Sequence, residues 1–188
     1  LKKYKNIHIV GCGSAYYAGM IGKNLFEEDG IKVECDVASE YRYRNIIYDK
    51  DTLVILISQS GETADTIAAM RKANDSQVDT LAIVNVEGST IERECTYSVL
   101  IEAGKEIAVA TTKAFILQVL ILSLLSYKLN PDDKYKVASD KPRHDGTKTL
   151  FSGLVKANSS GGDGNFAPLE AYYKKLSEAK TDITTLPT

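Results

Sequence analysis

Leu53-Val54-Ile55-Leu56-Ile57 runs directly into Ser58-Gln59-Ser60-Gly61-Glu62-Thr63-Ala64-Asp65-Thr66, and the fold can be read outward from this junction. Five consecutive apolar residues show none of the polar–apolar alternation of a half-exposed strand. They match a strand of a parallel sheet with helices on both faces. The hydroxyl-rich stretch after it reads as a loop, and a helix is expected from there to about Asn74, with Ile67, Met70 and Arg71 on neighbouring positions. Strand, polar loop, helix is the repeating unit of an α/β protein.

The unit recurs on both sides. Asn6–Val10 reads as a strand, the turn Gly11-Cys12-Gly13-Ser14 follows, and a helix is expected from about Ala15 to Glu28. Tyr17, Met20, Ile21, Asn24 and Leu25 recur there at three- and four-residue spacing, and Gly30 stands where a helix-ending C′ glycine belongs. Ile31–Val37, Thr52–Ile57, Thr80–Val84 and Tyr97–Ile101 supply four further strands. A last long helix is expected from about Thr111 to Lys128, stopping before Pro131. The expected fold is a doubly wound, three-layer α/β sandwich on a mainly parallel five-stranded sheet. It occupies residues 1–130, with 131–188 as a linker-like tail. In the tail Pro131–Arg143 is charged, Ser159–Gly164 is rich in Ser and Gly, and Ala167–Lys180 can form one helix.

Sheets of this kind bind ligands beyond the carboxyl ends of their strands. Both Gly11–Ser14 and Ser58–Thr63 fall on that edge. Ser58, Ser60, Thr63 and Thr66 offer hydroxyls, Gly61 lets a ligand approach the backbone, and a helix start supplies unpaired N–H groups. Together these suit a phosphate held by dipoles, since the loop has no Lys or Arg. The alternative is a polar loop that caps the next helix, with Ser60 or Thr63 as N-cap and Glu62 in the first turn.

Composition narrows the partners. Among 188 residues, 44% are hydrophobic and 26% charged, with a net charge of −2. That balance fits a globular domain and gives no electrostatic case for nucleic acid or an anionic membrane. Three cysteines and two histidines show no metal-like spacing, so no metal is expected, and a reduced, cytoplasmic setting fits best. Cys12 reads as a small buried residue and His8 as a satisfied core histidine. The Arg42/Arg44 pair reads as a solvated helix face. A nicotinamide dinucleotide is disfavoured because Tyr16 replaces the third glycine of Gly11-Cys12-Gly13-Ser14-Ala15-Tyr16.

Four stretches in order carry a resemblance to a known family. They are Gly11–Tyr16, Glu40-Tyr41-Arg42-Tyr43-Arg44, Ser58–Thr66, and Ala103–Phe115, which includes Val109-Ala110-Thr111-Thr112-Lys113. Over about Lys5–Leu129 the chain resembles the sugar isomerase (SIS) domains, and within them the first isomerase lobe of the glutamine:fructose-6-phosphate aminotransferases. The resemblance implies a sugar-phosphate site with no cofactor. Ser58, Gln59, Ser60 and Thr63 would hold the phosphate of fructose 6-phosphate or glucose 6-phosphate, facing Ser14 and Ala15. Val109 and Thr111 would lie near the sugar carbons. The family turn usually reads Thr-Ser where this chain has Ser14-Ala15, so one hydroxyl contact is missing.

The resemblance also implies what this chain lacks. In the family a glutaminase domain supplies ammonia, and a second lobe carries the acid–base glutamate, the Schiff-base lysine and the ring-opening histidine. No residue here is assigned a catalytic role, and the lobe alone is expected to be inactive. With Leu1 in place of an initiator Met, the chain reads as a fragment of such an enzyme, and a homodimer is expected. Two alternatives remain open: a free-standing isomerase or deglycase with a site shared across a dimer, and a non-catalytic sugar-phosphate sensor. Glu62 reads as a helix-start carboxylate of lowered pKa, a poor base. Lys113 reads as either an ion-pair partner near the ligand loop or a cover for apolar surface.

Overall fold

The computed structural model describes residues 3–103 and 112–129. Five strands, β1 (Asn6–Gly11), β2 (Lys32–Val37), β3 (Thr52–Ser58), β4 (Asp79–Val84) and β5 (Tyr97–Leu100), form one sheet in the order β2-β1-β3-β4-β5. Every pairing is parallel. The helices are α1 (Ser14–Glu28), α2 (Ala38–Tyr41), α3 (Ala64–Asp75), α4 (Thr90–Glu94) and α5 (Thr112–Leu129).

The expected doubly wound α/β sandwich is present, and the sheet is wholly parallel. β3 lies at the centre and is buried at all seven positions, which is why its sequence shows no alternation. Its side chains still divide between two layers by the period of two. Val54 and Leu56 join Val10, Ala82 and Val84 in a core with Ala38 and Tyr41 of α2, Ala69, Met70 and Ala73 of α3, and Ile91 of α4. On the opposite face α1 packs against β1, β3 and α5. Gly19 lies against Ile9, and Gly22 against Leu122 of α5, close enough that a side chain at either position would have to displace its neighbour. The far ends of α1 and α5 are joined by Ser126, whose Oγ donates to the Leu25 carbonyl at 3.2 Å and meets a carboxylate oxygen of Asp29.

Strand order carries the functional consequence. From β1 the chain steps outward to β2, then returns past β1 to pair β3 on its other side. The direction of winding thus reverses between β1 and β3, and a crevice opens at their carboxyl ends. Gly11 is in register with Ile57, so the loops following the two strands lie side by side there.

Helix α4 was not expected, and α2 was anticipated only through the helix face assigned to Arg42 and Arg44, which in fact follow its end. Helices α2 and α4 have only four and five residues, too few for a 3.6-residue repeat to show in sequence. Ala167–Lys180 and the rest of the expected tail lie outside the described residues.

Candidate functional site

The two edge loops are built differently. The first is a tight turn in which Gly13 precedes α1 with φ 57°, ψ −129°, a backbone that a side chain would strain. Ser14 and Ala15 then begin α1 as its first two residues. No side chain caps α1, nor does any cap α3, whose N-cap position is Thr63. Both helices therefore start with N–H groups that no capping side chain takes up, on the same edge of the sheet. Thr63 takes the N-cap position that the helix-capping reading gave it, but its side chain makes no capping hydrogen bond, and the loop's hydroxyls bond within the loop instead.

Ser58 is buried, and its Oγ accepts the Gly61 N–H at 3.1 Å while lying 3.0 Å from the Thr63 Oγ1. Ser60 Oγ accepts the Glu62 N–H at 3.2 Å. The loop is thus folded around its own hydroxyls. It is also strapped to the segment after β4. The Asn85 N–H donates to the Gln59 carbonyl (3.0 Å), the Ile91 N–H to the Gly61 carbonyl (3.1 Å), and the Thr90 N–H to Glu62 Oε1 (2.7 Å). Asn85 in turn accepts the Ala103 N–H through Oδ1 at 2.7 Å. Gly61, at φ 67°, rests against Ser89 so closely that a Cβ there would overlap the serine side chain. The Ser89 hydroxyl is buried without a hydrogen-bond partner.

Six of the eight candidate residues are brought to one edge. Ser14 is exposed and Ala15 buried on the first turn, while buried Ser58 and half-buried Gln59, Ser60 and Thr63 line the second loop. Val109 and Thr111 lie outside the described residues. The supporting strap of Asn85, Ser89 and Thr90 was missed. Asn85 directly follows the apolar run Leu81–Val84, so the carboxyl-edge rule applied to that strand would have found it.

The neighbouring side chains match expectation in part. Arg42 and Arg44 are solvated, as read, but they follow the end of α2 and both are ion-paired. Arg42 Nη1 is 2.7 Å from Asp65 Oδ1 in the first turn of α3, and Arg44 spans Asp36 (2.6 Å) and Glu34 (3.1 Å) on β2. Glu62 precedes α3 and does not sit in its first turn. Its carboxyl is held below the usual range by the hydrogen bond from Thr90, which leaves it the poor base foreseen, for a different reason. Cys12 is partly buried and packs against the core under Thr66, whose Oγ1 is 3.9 Å from its sulfur. His8 is a satisfied core residue, with Nδ1 2.9 Å from the Tyr41 hydroxyl, which itself lies 3.1 Å from that of Tyr48. Lys113 is exposed.

Comparison with known proteins agrees with this architecture. A family model described as the SIS domain matches residues 1–127. The chain belongs to the SIS domain family. One relative is the isomerizing glutamine–fructose-6-phosphate aminotransferase of Clostridium tetani, 50% identical over 127 residues, which cover 67% of this chain and 21% of that protein. Its namesake from Symbiobacterium thermophilum is 48% identical over 180 residues, covering 95% of this chain and 28% of the relative. The chain thus spans between a fifth and a third of the length of these relatives. Among solved structures, the C-terminal domain of the Francisella tularensis glucosamine-fructose-6-phosphate aminotransferase superposes with a TM-score of 0.67 at 34% identity. That match covers 85% of this chain and 44% of the other. The Thermotoga maritima glucosamine-6-phosphate deaminase, at 24% identity and a TM-score of 0.64 over 73% of this chain and 44% of its own, shares the fold. Among the described residues of this SIS domain no helix is long and apolar enough to cross a membrane.

Proposed function

We propose that this SIS domain is the first isomerase lobe of an isomerizing glutamine–fructose-6-phosphate aminotransferase, and that it binds the phosphate of a hexose 6-phosphate between β1 and β3. The observation carrying this reading is the alignment of two uncapped helix starts with Ser58, Ser60 and Thr63 on one edge of the sheet. A dianion there meets aligned peptide dipoles and hydroxyl donors, and each hydrogen bond to a charged group contributes roughly 1.5–3 kcal/mol. The naming of relatives near 50% identity supports the same substrate class.

In this reading Ser58, Gln59, Ser60 and Thr63 hold the phosphate, and Ser14 and Ala15 face it. Val109 and Thr111 approach the sugar. The enzyme converts fructose 6-phosphate and glutamine into glucosamine 6-phosphate and glutamate. Its glutaminase domain and second lobe are this lobe's partners within a cytoplasmic homodimer. The lobe binds without turning over substrate, because moving a proton between adjacent sugar carbons needs a base within about 3 Å, and the resemblance places that base in the second lobe.

Thermal-shift titration of the chain with fructose 6-phosphate, glucose 6-phosphate and inorganic phosphate, repeated on Ser60→Ala, tests the reading. A ligand at 100 times its Kd stabilises the fold by about 2.7 kcal/mol. Greater stabilisation by the sugar phosphates than by phosphate, weakened in the variant, is expected. Equal or absent shifts with all three would overturn it.

A further inference from the structure

The start of α3 holds a charge that works against the proposed ligand. Asp65 is the second residue of α3 and presents its carboxylate in the first turn, where the helix dipole favours a negative charge. A phosphate ester at the same helix start draws on the same dipole, so the two anions oppose each other. Arg42 reaches across from the end of α2 and pairs with Asp65 at 2.7 Å. Its backbone is tied to the same helix: Lys72 Nζ of α3 donates to the carbonyl oxygens of Tyr41 at 3.3 Å and Arg42 at 3.4 Å, and contacts that of Arg44. The Arg42 guanidinium also lies 4.9 Å from the Tyr43 ring centroid. Nearby Arg44 is committed to Glu34 and Asp36, which leaves Arg42 to offset Asp65.

Resting on the phosphate-binding reading above, we infer that Arg42 is a positioning residue that sets the affinity of the α3 start for a phosphate ester by neutralising Asp65. The pair trades one property against another. Asp65 favours the helix and disfavours the ligand, and Arg42 removes the second effect while keeping the first. An ion pair serving structure alone would show no such opposition, because losing either partner would break the same contact.

Opposite signs therefore provide the test. Fructose 6-phosphate and inorganic phosphate are titrated into the 188-residue chain and its Arg42→Gln, Arg42→Ala, Asp65→Asn and Arg42→Gln/Asp65→Asn variants, with denaturant unfolding measured on each. Arg42→Gln keeps a hydrogen-bond donor without the charge, so the inference does not depend on whether Arg42→Ala folds. Loss of the Arg42 charge should lower affinity several-fold at low salt. Asp65→Asn should hold or raise affinity while lowering stability, and the double variant, in which neither charge remains, should bind like the unaltered chain, whose two charges cancel. The differences should shrink towards 1 M salt, where the screening length falls to about 3 Å. Equal losses of affinity in Arg42→Gln and Asp65→Asn, insensitive to salt, would overturn the inference and leave the binding reading intact. Failure of the unaltered chain to bind either ligand would overturn the binding reading itself, and the inference with it.

Discussion

The hydroxyl oxygens of Ser58 and Thr63 stand 3.0 Å apart across the serine-rich loop, and Ser58 also accepts the Gly61 N–H. One buried hydroxyl thus links the end of β3, the loop glycine and the residue before α3. Ser58→Ala should lower stability by about 1 kcal/mol, the typical net value of such a hydrogen bond. Thr63→Val, which keeps shape and leaves Ser58 its bond to Gly61, should cost less. Both should weaken phosphate binding. Urea unfolding and calorimetric titration of the two variants measure the difference.

Gly61 meets two constraints together: a positive φ and the Ser89 side chain. Gly61→Ala should destabilise by roughly 1–3 kcal/mol from backbone strain, with overpacking added. Ser89→Gly in the same chain should recover the overpacking part and leave the strain. A double-mutant cycle that shows simple additivity would contradict this division.

Burial holds the His8 imidazole below its ordinary pKa, against the opposing pull of Glu34. The folded state therefore binds this proton less readily than the unfolded chain. Stability from neutral His8 is complete above the unfolded pKa of about 6.5 and is lost as pH falls through that value towards the folded pKa. Unfolding midpoints measured from pH 7.5 down to pH 5 should fall more steeply in the unaltered protein than in His8→Gln.

Position in the sheet should decide the cost of core truncation. Leu56→Ala, at a fully buried site of central β3, should cost about 2–5 kcal/mol. Val99→Ala on β5 should cost less, because that edge strand is only partly covered. Chemical denaturation of both variants gives the comparison.

Much of this was legible because the strongest signals are local. The run Leu53–Ile57 announces a buried strand, and the strand–loop–helix order sends both polar loops to one edge whatever the details of packing. The connections within that edge were not legible. Arg42 finds Asp65 in α3, Glu62 finds the Thr90 N–H, and Asn85 finds Gln59 and Ala103. Each joins residues far apart in the chain, brought together only once the sheet has assembled. Arg42 and Arg44 illustrate the point: two arginines one residue apart looked alike, yet one serves α3 and the other β2.

The central pairing also determines when the site can come into being. Gly11 meets Ile57 only after α1, β2 and α2 have all been bridged, a long-range closure that comes at a high entropic cost and folds slowly. A partly folded chain holding only β1, α1 and β2 has one loop and nothing facing it. If the two loops still separate at the folding barrier, a sugar phosphate has no grip on the chain until that barrier is behind it. The ligand would then act as a brake on unfolding while leaving the speed of folding unchanged.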